Sequence, residues 1–317
     1  MKIQTMVTID AGSHAQRIGS FVELRRRAQL FGPRRVAVVV ADDDIALTAA
    51  ERAFHLGIAV PVLIGNEPNI LAKAEELSLS ALLAGAEILD VADVPSTAVR
   101  MARDGQVDVL LKGHLRTDEL LRAVLDKTAG LRTGRLLSDV LLYEDKLADE
   151  PRLVGITDGG LNVAPNLEQK QQIVQNAIEV MRCLGLRRPK IAIMSATESV
   201  SKAVPSTEDA RLLTEMGEFG QFGDVDLFGP LALDGALLES AALAKGITNS
   251  VAGHADCMVV PNIEAGNLLG KAVKYIGGSQ CAHVVVGAKV PILIPSRVES
   301  VDDKVNSIAL GVVFARR

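Results

Sequence analysis

Short runs of aliphatic residues alternate along this chain with longer segments of helical periodicity, and this alternation constrains the fold more than any other feature. Continuous apolar runs are typical of parallel strands that are buried on both faces and joined by crossover helices. The pattern predicts strands over residues 36–40, 60–64, 107–111, 153–157, 190–195, 257–260, 282–286 and 291–294. It predicts helices over residues 45–56, 118–127, 167–184, 206–216 and 267–276, and a last helix from residue 300 onward. We therefore expect an α/β fold.

The length of 317 residues corresponds to about two domains of ordinary size, each able to bury its own core. A charged stretch over residues 144–150 precedes Pro151 and a new predicted strand, which favours a boundary there. We predict a first domain formed by residues 1–152 together with 297–317, and a second formed by residues 153–296. Each is expected to be a doubly wound α/β/α domain, with the active site in the cleft between them.

The composition argues against nucleic-acid and membrane partners. The formal net charge is −5, so no overall basic field attracts DNA, RNA or anionic lipid. Aromatic residues make up 3% of the chain, which leaves few rings on which bases could stack. No apolar run approaches the roughly 20 residues that cross a bilayer, and no signal peptide is visible. We expect a cytoplasmic protein.

The cysteines and the short motifs exclude further classes of site. Cys183, Cys257 and Cys281 are spaced neither as a disulfide framework nor as metal ligands, so no metal site is predicted. The dinucleotide fingerprint G-x-G-x-x-G, the P-loop, the G-x-S-x-G elbow and the H-E-x-x-H motif are absent from the sequence. These observations leave the function open.

Two segments that follow predicted strands have the features of anion sites, because ligands bind beyond the carboxyl ends of parallel strands. Each is expected to open a helix whose free N–H groups hold an anion, with basic side chains near the first. In that first segment Thr117 or Asp118 is the expected cap, and a capped helix with surface cations is the alternative interpretation. The substrate-binding candidates are Lys112, Thr117 and Arg122 in the first segment, and Gly266 and Asn267 in the second.

A third strand end, after residues 190–195, carries hydroxyl and carboxylate groups. Thr197 and Glu198 are the substrate-binding candidates there. Glu198 also fits a helix-cap partner or a solvated carboxylate, and the sequence does not decide between these interpretations.

The last strand end is the most informative, because Ser296 and Arg297 follow it and Asp303 lies in the final helix. An arginine can bind phosphate at two points, a serine supplies a neutral donor, and an aspartate can act as a base. Ser300 and Asp303 also match a variant of the helix capping box, so Asp303 is either a base or a cap.

Taken together, these segments resemble the phosphate acetyl/butyryltransferase family, and more closely its phosphate butyryltransferase branch. The resemblance runs from about residue 30 to the C-terminus, with its motifs in the order of the family. The matching segments are 109–113 with Thr117, 130–134, 157–159 with Asn162, 164–165, 169–170, 229–234, 251–253, 260–267, 296–297, 303–304 and 306–310.

The resemblance implies transfer of a short acyl group between coenzyme A and inorganic phosphate, giving acyl phosphate and free coenzyme A. It implies Ser296, Arg297 and Asp303 as the catalytic residues, with Asp303 taking the thiol proton. It also implies a homodimer, and coenzyme A as a substrate with no cofactor. Gly159 stands where acetyltransferases commonly carry cysteine, which argues against a dedicated acetyl enzyme.

The expected architecture, two α/β domains around a cleft, is that of isocitrate and isopropylmalate dehydrogenases, so an oxidoreductase of that type is one alternative. Clustered metal-binding aspartates and a nicotinamide site are not seen in the sequence. The other alternative is a non-catalytic sensor of acyl-CoA or phosphate ligands, against which the presence of Ser296, Arg297 and Asp303 argues.

Overall fold

The computed structural model describes residues 17–148, 150–296 and 298–315. Its strands are β1 (Arg34–Val39), β2 (Ala59–Gly65), β3 (Glu87–Asp90), β4 (Val109–Lys112), β5 (Ser138–Asp145), β6 (Arg152–Thr157), β7 (Lys190–Met194), β8 (Asp226–Leu231), β9 (Cys257–Val259), β10 (Cys281–Val286) and β11 (Ile292–Leu293). Its helices are α1 (Phe21–Phe31), α2 (Asp44–His55), α3 (Glu67–Glu76), α4 (Ser80–Gly85), α5 (Val94–Arg103), α6 (Thr117–Val124), α7 (Leu167–Cys183), α8 (Pro205–Glu218), α9 (Leu233–Leu237), α10 (Glu239–Ala244), α11 (Ile263–Lys271) and α12 (Val301–Phe314). A π-helical turn, Ala272–Ile276, continues α11.

The strands form one 11-stranded sheet in the order β3-β2-β1-β4-β11-β10-β5-β6-β9-β7-β8. The first five strands of this order pair in parallel, and so do the last four. Between these blocks, β10 is antiparallel to both β11 and β5, and β5 is antiparallel to β6. The two parallel blocks therefore run in opposite directions within one mixed sheet.

This arrangement corrects the predicted fold class. The chain is α/β as expected, but the prediction of two doubly wound domains of the isocitrate/isopropylmalate dehydrogenase type is wrong. The reason is β5, whose sequence begins with Ser138 and Asp139 and ends in the charged stretch that was interpreted as a boundary. This strand and β10 join the two blocks through antiparallel pairing. The domain boundaries themselves, 1–152 with 297–317 and 153–296, stay a prediction.

All eight predicted strands are present, and β3, β5 and β8 are additional. Helix α7 begins as predicted, with Asn166 and Gln169 in a reciprocal capping box. Helix α11 begins earlier than predicted because Asn262 caps it by accepting from the N–H of Ala265. Helix α6 is capped neither by Thr117 nor by Asp118, since its N-cap residue is Arg116 and no side chain caps it.

The final helix α12 is the central element of the core. It packs against α1, α2, β4, β10 and β11, and nearly all of its residues are buried. Its apolar side chains Val305, Ile308 and Leu310 belong to the same cluster as Phe21 and Leu24 of α1. Because α1 is near the start of the described chain and α12 is near its end, their packing joins the first and the last described helix. In the described part of the chain, no helix is long and apolar enough to cross a membrane.

Truncation of the α12 core tests this packing. Leu310 is 0% exposed, so Leu310→Ala is expected to lower the free energy of unfolding by about 2–5 kcal/mol, since it removes buried methyl groups and leaves a cavity. Urea denaturation measures the change. The matched control is Leu243→Ala at a side chain that is 59% exposed, which is expected to stay within about 0.5 kcal/mol. Equal effects from the two variants would contradict the central position of α12.

Candidate active site

The two parallel blocks of the sheet end at one place. The register pairs Ile292 with Val285, Val285 with Asp139, and Leu141 with Ile156. Strands β11 and β6 run in opposite directions and both end near the level of Asp139. The chain therefore leaves these two strands in opposite directions at this level. Residues from the two blocks and from β5 and β10 therefore meet around this position.

A cavity of about 240 Å³ lies at this junction. Its polar lining includes Thr117, Asp139, His283, Ser296 and Glu299, and its apolar lining includes Leu141, Ile156 and Ile294. Lys271 and Lys274 also line the cavity. Pockets that hold drug-sized ligands measure roughly 300–1,000 Å³, so this cavity suits the reacting end of a substrate.

His283 lies between two carboxylates in the cavity. Its Nδ1 is 3.2 Å from Oδ2 of Asp139, and its Nε2 is 3.5 Å from Oε1 of Glu299. Asp139 and His283 occupy diagonal positions on paired strands, since Asp139 pairs with Val285, two residues after His283. Burial lowers the pKa of the His283 imidazole, but the charges of Asp139 and Glu299 outweigh burial and raise it to about 9. His283 is therefore an imidazolium at neutral pH.

Ser296 is placed at the cavity by Glu299. Its backbone N–H donates to Oε1 of Glu299 at 2.7 Å, and its carbonyl accepts from the N–H of Glu299. Within the described residues the Ser296 hydroxyl has no hydrogen-bond partner, so it is free to donate to a bound molecule. Arg297, the predicted partner of Ser296, lies outside the described residues.

Asp303 is 1% exposed and does not line the cavity. One carboxylate oxygen accepts from the Ser300 hydroxyl at 2.6 Å and pairs with Lys274, and the other accepts from the Cys281 N–H at 2.8 Å. Ser300 and Asp303 form the capping box of α12. Burial raises the pKa of Asp303, but Lys274 and Ser300 outweigh it and hold the pKa below its ordinary value. The cap that the sequence allowed is thus formed, and the base role stays a prediction.

The three candidate residues of the first predicted anion segment lie in different places in the structure. Thr117 lines the cavity, whereas Lys112 is buried outside the cavity lining, with its Nζ 3.3 Å from the carbonyl of Leu115. The Arg122 side chain is 77% exposed and lies in a different surface cleft, 3.6 Å from Asp118. Substrate binding by Lys112 and Arg122 stays a prediction.

Gly266 and Asn267 line the cavity, but not as the start of a helix. The N–H of Gly266 is already bonded to the carbonyl of Asn262, because α11 begins one turn earlier. The expected bare N–H groups are therefore absent at Gly266. A Cβ on Gly266 would lie 2.7 Å from Cα of Gly159, so this position lets the helix approach the β6 turn closely.

Thr197 and Glu198 lie outside the cavity lining. Glu198 accepts a hydrogen bond from Lys245 at 2.7 Å, and this bond lowers the pKa of Glu198. The carboxylate also accepts from the N–H of Ala232 at 3.4 Å. Glu198 thus links two segments of the chain, and substrate binding at Thr197 and Glu198 stays a prediction.

Comparisons with known proteins identify the family of this chain. A family model described as "Phosphate acetyl/butaryl transferase" matches residues 90–312. The phosphate acetyltransferase of Rickettsia felis is 40% identical over 297 residues, which cover 92% of this chain and 83% of that protein. The phosphate butyryltransferase of Clostridium beijerinckii is 38% identical over 301 residues, which cover 94% of this chain and 98% of that protein. This chain belongs to the phosphate acetyl/butyryltransferase family.

The family resemblance read from the sequence is confirmed, and the chain is an enzyme of the phosphate acyltransferase type. A branched-chain phosphotransacylase from Enterococcus faecalis V583 matches the fold with a TM-score of 0.79 and 28% identity, over 90% of this chain and 99% of that chain. Three solved structures that match with TM-scores of 0.75 to 0.79 are a phosphotransacylase and two phosphotransacetylases, and this finding overturns the expected dehydrogenase-like fold. The acyltransferase interpretation is favoured over the oxidoreductase and the non-catalytic sensor.

Sequence reasoning missed five charged residues of the cavity. They are Asp139, Lys271, Lys274, His283 and Glu299. The sequence signal for two of them was a polar residue within an otherwise apolar segment. His283 interrupts a predicted strand, and Asp139 follows Ser138 at the start of β5, which was not predicted. Lys274 gave no such signal, because its position depends on the π-helical turn.

Asp303→Asn tests the structural role of this carboxylate. The variant is expected to lower the free energy of unfolding at pH 7 by roughly 3–5 kcal/mol, because it leaves the half-buried Lys274 without its counter-charge. A carboxyl whose pKa is depressed stabilises the fold above its unfolded pKa of 3.8, and this contribution is lost as the pH falls through the folded value. The difference from wild type is thus expected to persist from pH 8 to 5, as measured by urea denaturation.

The control is Asp302→Asn, whose side chain is 41% exposed and pairs with Arg52 on the surface. It is expected to cost no more than about 1 kcal/mol. An equally small effect of Asp303→Asn would show that the buried pair does not stabilise α12.

Proposed function

We propose that this enzyme transfers a short acyl group reversibly between coenzyme A and inorganic phosphate, in the cavity around Ser296. The supporting observation is that one cavity is lined by hydroxyl, cationic and apolar side chains. Thr117 and Ser296 supply the hydroxyls, and Lys271 forms no ion pair within the described residues. Membership of the phosphate acyltransferase family supports the same reaction. Such a mixed lining suits a substrate that is anionic at one end and aliphatic at the other.

We infer a direct transfer without an acyl-enzyme intermediate. None of the three cysteines, Cys183, Cys257 and Cys281, lines the cavity, and burial raises the pKa of the Cys281 thiol to about 12. Burial raises the pKa of the Cys257 thiol as well. Thiols with such pKa values are protonated at neutral pH and are poor nucleophiles. The thiol that reacts is therefore that of coenzyme A itself.

In the proposed step, the coenzyme A sulfur attacks the carbonyl carbon of the acyl phosphate. A C–S bond forms, the C–O bond to the phosphoryl group breaks, and phosphate leaves with the electron pair and takes up the proton that the thiol loses. Ser296 donates to the oxyanion of the tetrahedral intermediate, and Arg297 is predicted to hold the phosphoryl oxygens. Lys271 adds positive charge at the same side. The reverse direction passes through the same intermediate, with phosphate attacking the thioester.

The partners follow from this reaction. We propose an acyl-CoA thioester and inorganic phosphate as the substrates, and coenzyme A as a substrate with no cofactor in the chemistry. A homodimer and a cytoplasmic location stay predictions. We propose a butyryl-like or acetyl group as the acyl substrate.

The reaction is tested by mixing the purified enzyme with acyl-CoA thioesters of increasing chain length and measuring thiol release with and without phosphate. Release that requires phosphate is expected, and release without phosphate, or none, would contradict the proposal. Ser296→Ala is expected to lower kcat by about 10²–10³, the usual loss for one oxyanion donor. Its control is Ser240→Ala, at an exposed helical position, which is expected to retain wild-type kcat.

Gly270 is expected to set the length of the acyl group. A Cβ at this position would lie 3.0 Å from Cδ1 of Leu141, so Gly270→Ala narrows the apolar side of the cavity. The variant is expected to lower kcat/KM for butyryl-CoA relative to acetyl-CoA by about 10–100-fold. Alanine suits a helix better than glycine, so the fold is retained.

The matched control is Gly217→Ala on α8, where a Cβ would lie 3.2 Å from Cβ of Leu227, because Gly217 does not line the cavity of Ser296. It is expected to leave the ratio of the two substrates unchanged. An unchanged ratio in Gly270→Ala would place the acyl group elsewhere.

A further inference from the structure

We propose that His283 is a positioning residue of the reaction, because it bridges Asp139 and Glu299 and, through Glu299, holds Ser296 in the place from which its hydroxyl donates. The inference rests on the proposed acyl transfer, in which Ser296 donates to the oxyanion, and it names the group that keeps this donor in place. It stands on the contacts of three side chains that line the cavity together with Ser296.

Ser296 lies in a segment without regular secondary structure, so its position depends on contacts with its neighbours. Strand β11 ends at Leu293, and α12 begins only at Val301. Between them, Oε1 of Glu299 accepts from the backbone N–H of Ser296 at 2.7 Å, and the N–H of Glu299 donates to the carbonyl of Ser296 at 3.2 Å. The carboxylate of Glu299 therefore helps to set the place of the Ser296 hydroxyl.

The carboxylate of Glu299 depends in turn on His283. Glu299 is 3% exposed, and its Oε2 is buried without a hydrogen-bond partner among the described residues. A buried carboxylate needs a counter-charge. Nε2 of His283 lies 3.5 Å from Oε1 of Glu299, whereas the nearby cation of Lys274 is paired with Asp303. Within the described part of the chain, His283 is thus the ion-pair partner of Glu299.

Asp139 holds the other side of the imidazole. Its two oxygens lie 3.2 and 3.3 Å from Nδ1 of His283, and its side chain is buried. The backbone N–H of His283 also donates to the Ser307 hydroxyl of α12 at 2.9 Å, so the core helix fixes the strand at this residue. Both ring nitrogens therefore face carboxylates. The imidazolium, which is a donor at both nitrogens, is the form that satisfies both of them.

This arrangement suits a fixed charge rather than a proton carrier. Because both ring nitrogens of His283 face carboxylates, neither is left for the substrate. The proposal leaves the proton step with Asp303, which the family resemblance implies as the base. His283 acts on the reaction through the position of Ser296.

The surrounding charges keep the bridge protonated at neutral pH. Burial lowers the pKa of His283, but the carboxylates outweigh burial and raise it to about 9. The imidazolium therefore persists at neutral pH and is lost as the pH rises through about 9. The titratable and charged groups that face this site are Asp139 on β5, Asp158 after β6, Lys274 on the π-helical turn, Glu299 before α12 and Asp303 on α12.

The first test compares His283→Gln with wild type in the direction of acyl-CoA plus phosphate. The variant is expected to lower kcat by about 10–100-fold, because a misplaced donor stabilises the transition state less well. KM for either substrate is expected to change by no more than about threefold, since the oxyanion exists only in the transition state and the intermediate. A kcat within about threefold of wild type would overturn the proposal.

The second test repeats the substitution in the Ser296→Ala background. A residue that acts by positioning Ser296 has nothing to position once the hydroxyl is removed. Adding His283→Gln is therefore expected to lower kcat by no more than about threefold further, because effects of residues that act as one unit are not additive. If the loss is as large as in the wild-type background, His283 acts independently of Ser296 and the proposal is wrong.

The third test removes both charges of the pair. In the double variant His283→Gln with Glu299→Gln, the new amide oxygen still accepts from the Ser296 N–H but carries no charge that needs a partner. The double variant is expected to regain kcat by at least about fivefold over His283→Gln. Failure to regain kcat would contradict the proposal.

The same double variant gives a pH readout. The ratio of its kcat to that of wild type is expected to rise as the pH increases through about 9, because only wild type loses an imidazolium there. A ratio that stays constant across this range would overturn the proposal. This comparison does not involve His283→Gln alone, so it keeps the test available where that variant is too unstable to assay.

The matched control is His254→Gln, since this imidazole also lies near a carboxylate but is 44% exposed and outside the cavity. It is expected to retain wild-type kcat and the wild-type pH profile. The failure of the underlying reaction is recognised separately, because wild-type enzyme would then release no thiol in response to phosphate. If wild type and His283→Gln are equally active, only the positioning role of His283 fails.

Discussion

The antiparallel pairing of β5 with β10 is the constraint on which the rest of the structure depends. It joins two parallel blocks that run in opposite directions, so the ends of β11 and β6 meet near Asp139. Open parallel sheets bind ligands where strand ends and connections diverge. Here the divergence lies inside one mixed sheet, and the pairing itself places Asp139 and His283 on diagonal positions. The strand pairing that defines the fold therefore also brings these two side chains together.

The core helix links this junction to the stability of the protein. The N-terminal turn of α12 is fixed by its capping box and by the pairing of Asp303 with Lys274. Lys274 belongs to the π-helical turn that continues α11, and π-helical turns are frequent at functional sites. Because Ser296 and Glu299 directly precede α12, the position of this helix determines the position of the cavity wall. The carboxylate of Asp303 therefore stabilises the wall of the cavity through the position of α12.

The sequence predicted the buried strands and the capped helices, because these depend on local periodicity and on single capping residues such as Asn166. It did not predict β5, since a strand with Ser138 and Asp139 at its start lacks a continuous apolar run. Nor could it separate Arg122 from Thr117, because both lie on α6 but face different clefts. Local sequence patterns specify individual helices and strands. Which residues of distant strands come into contact depends on the register of strand pairing, and no single segment of the sequence encodes that register.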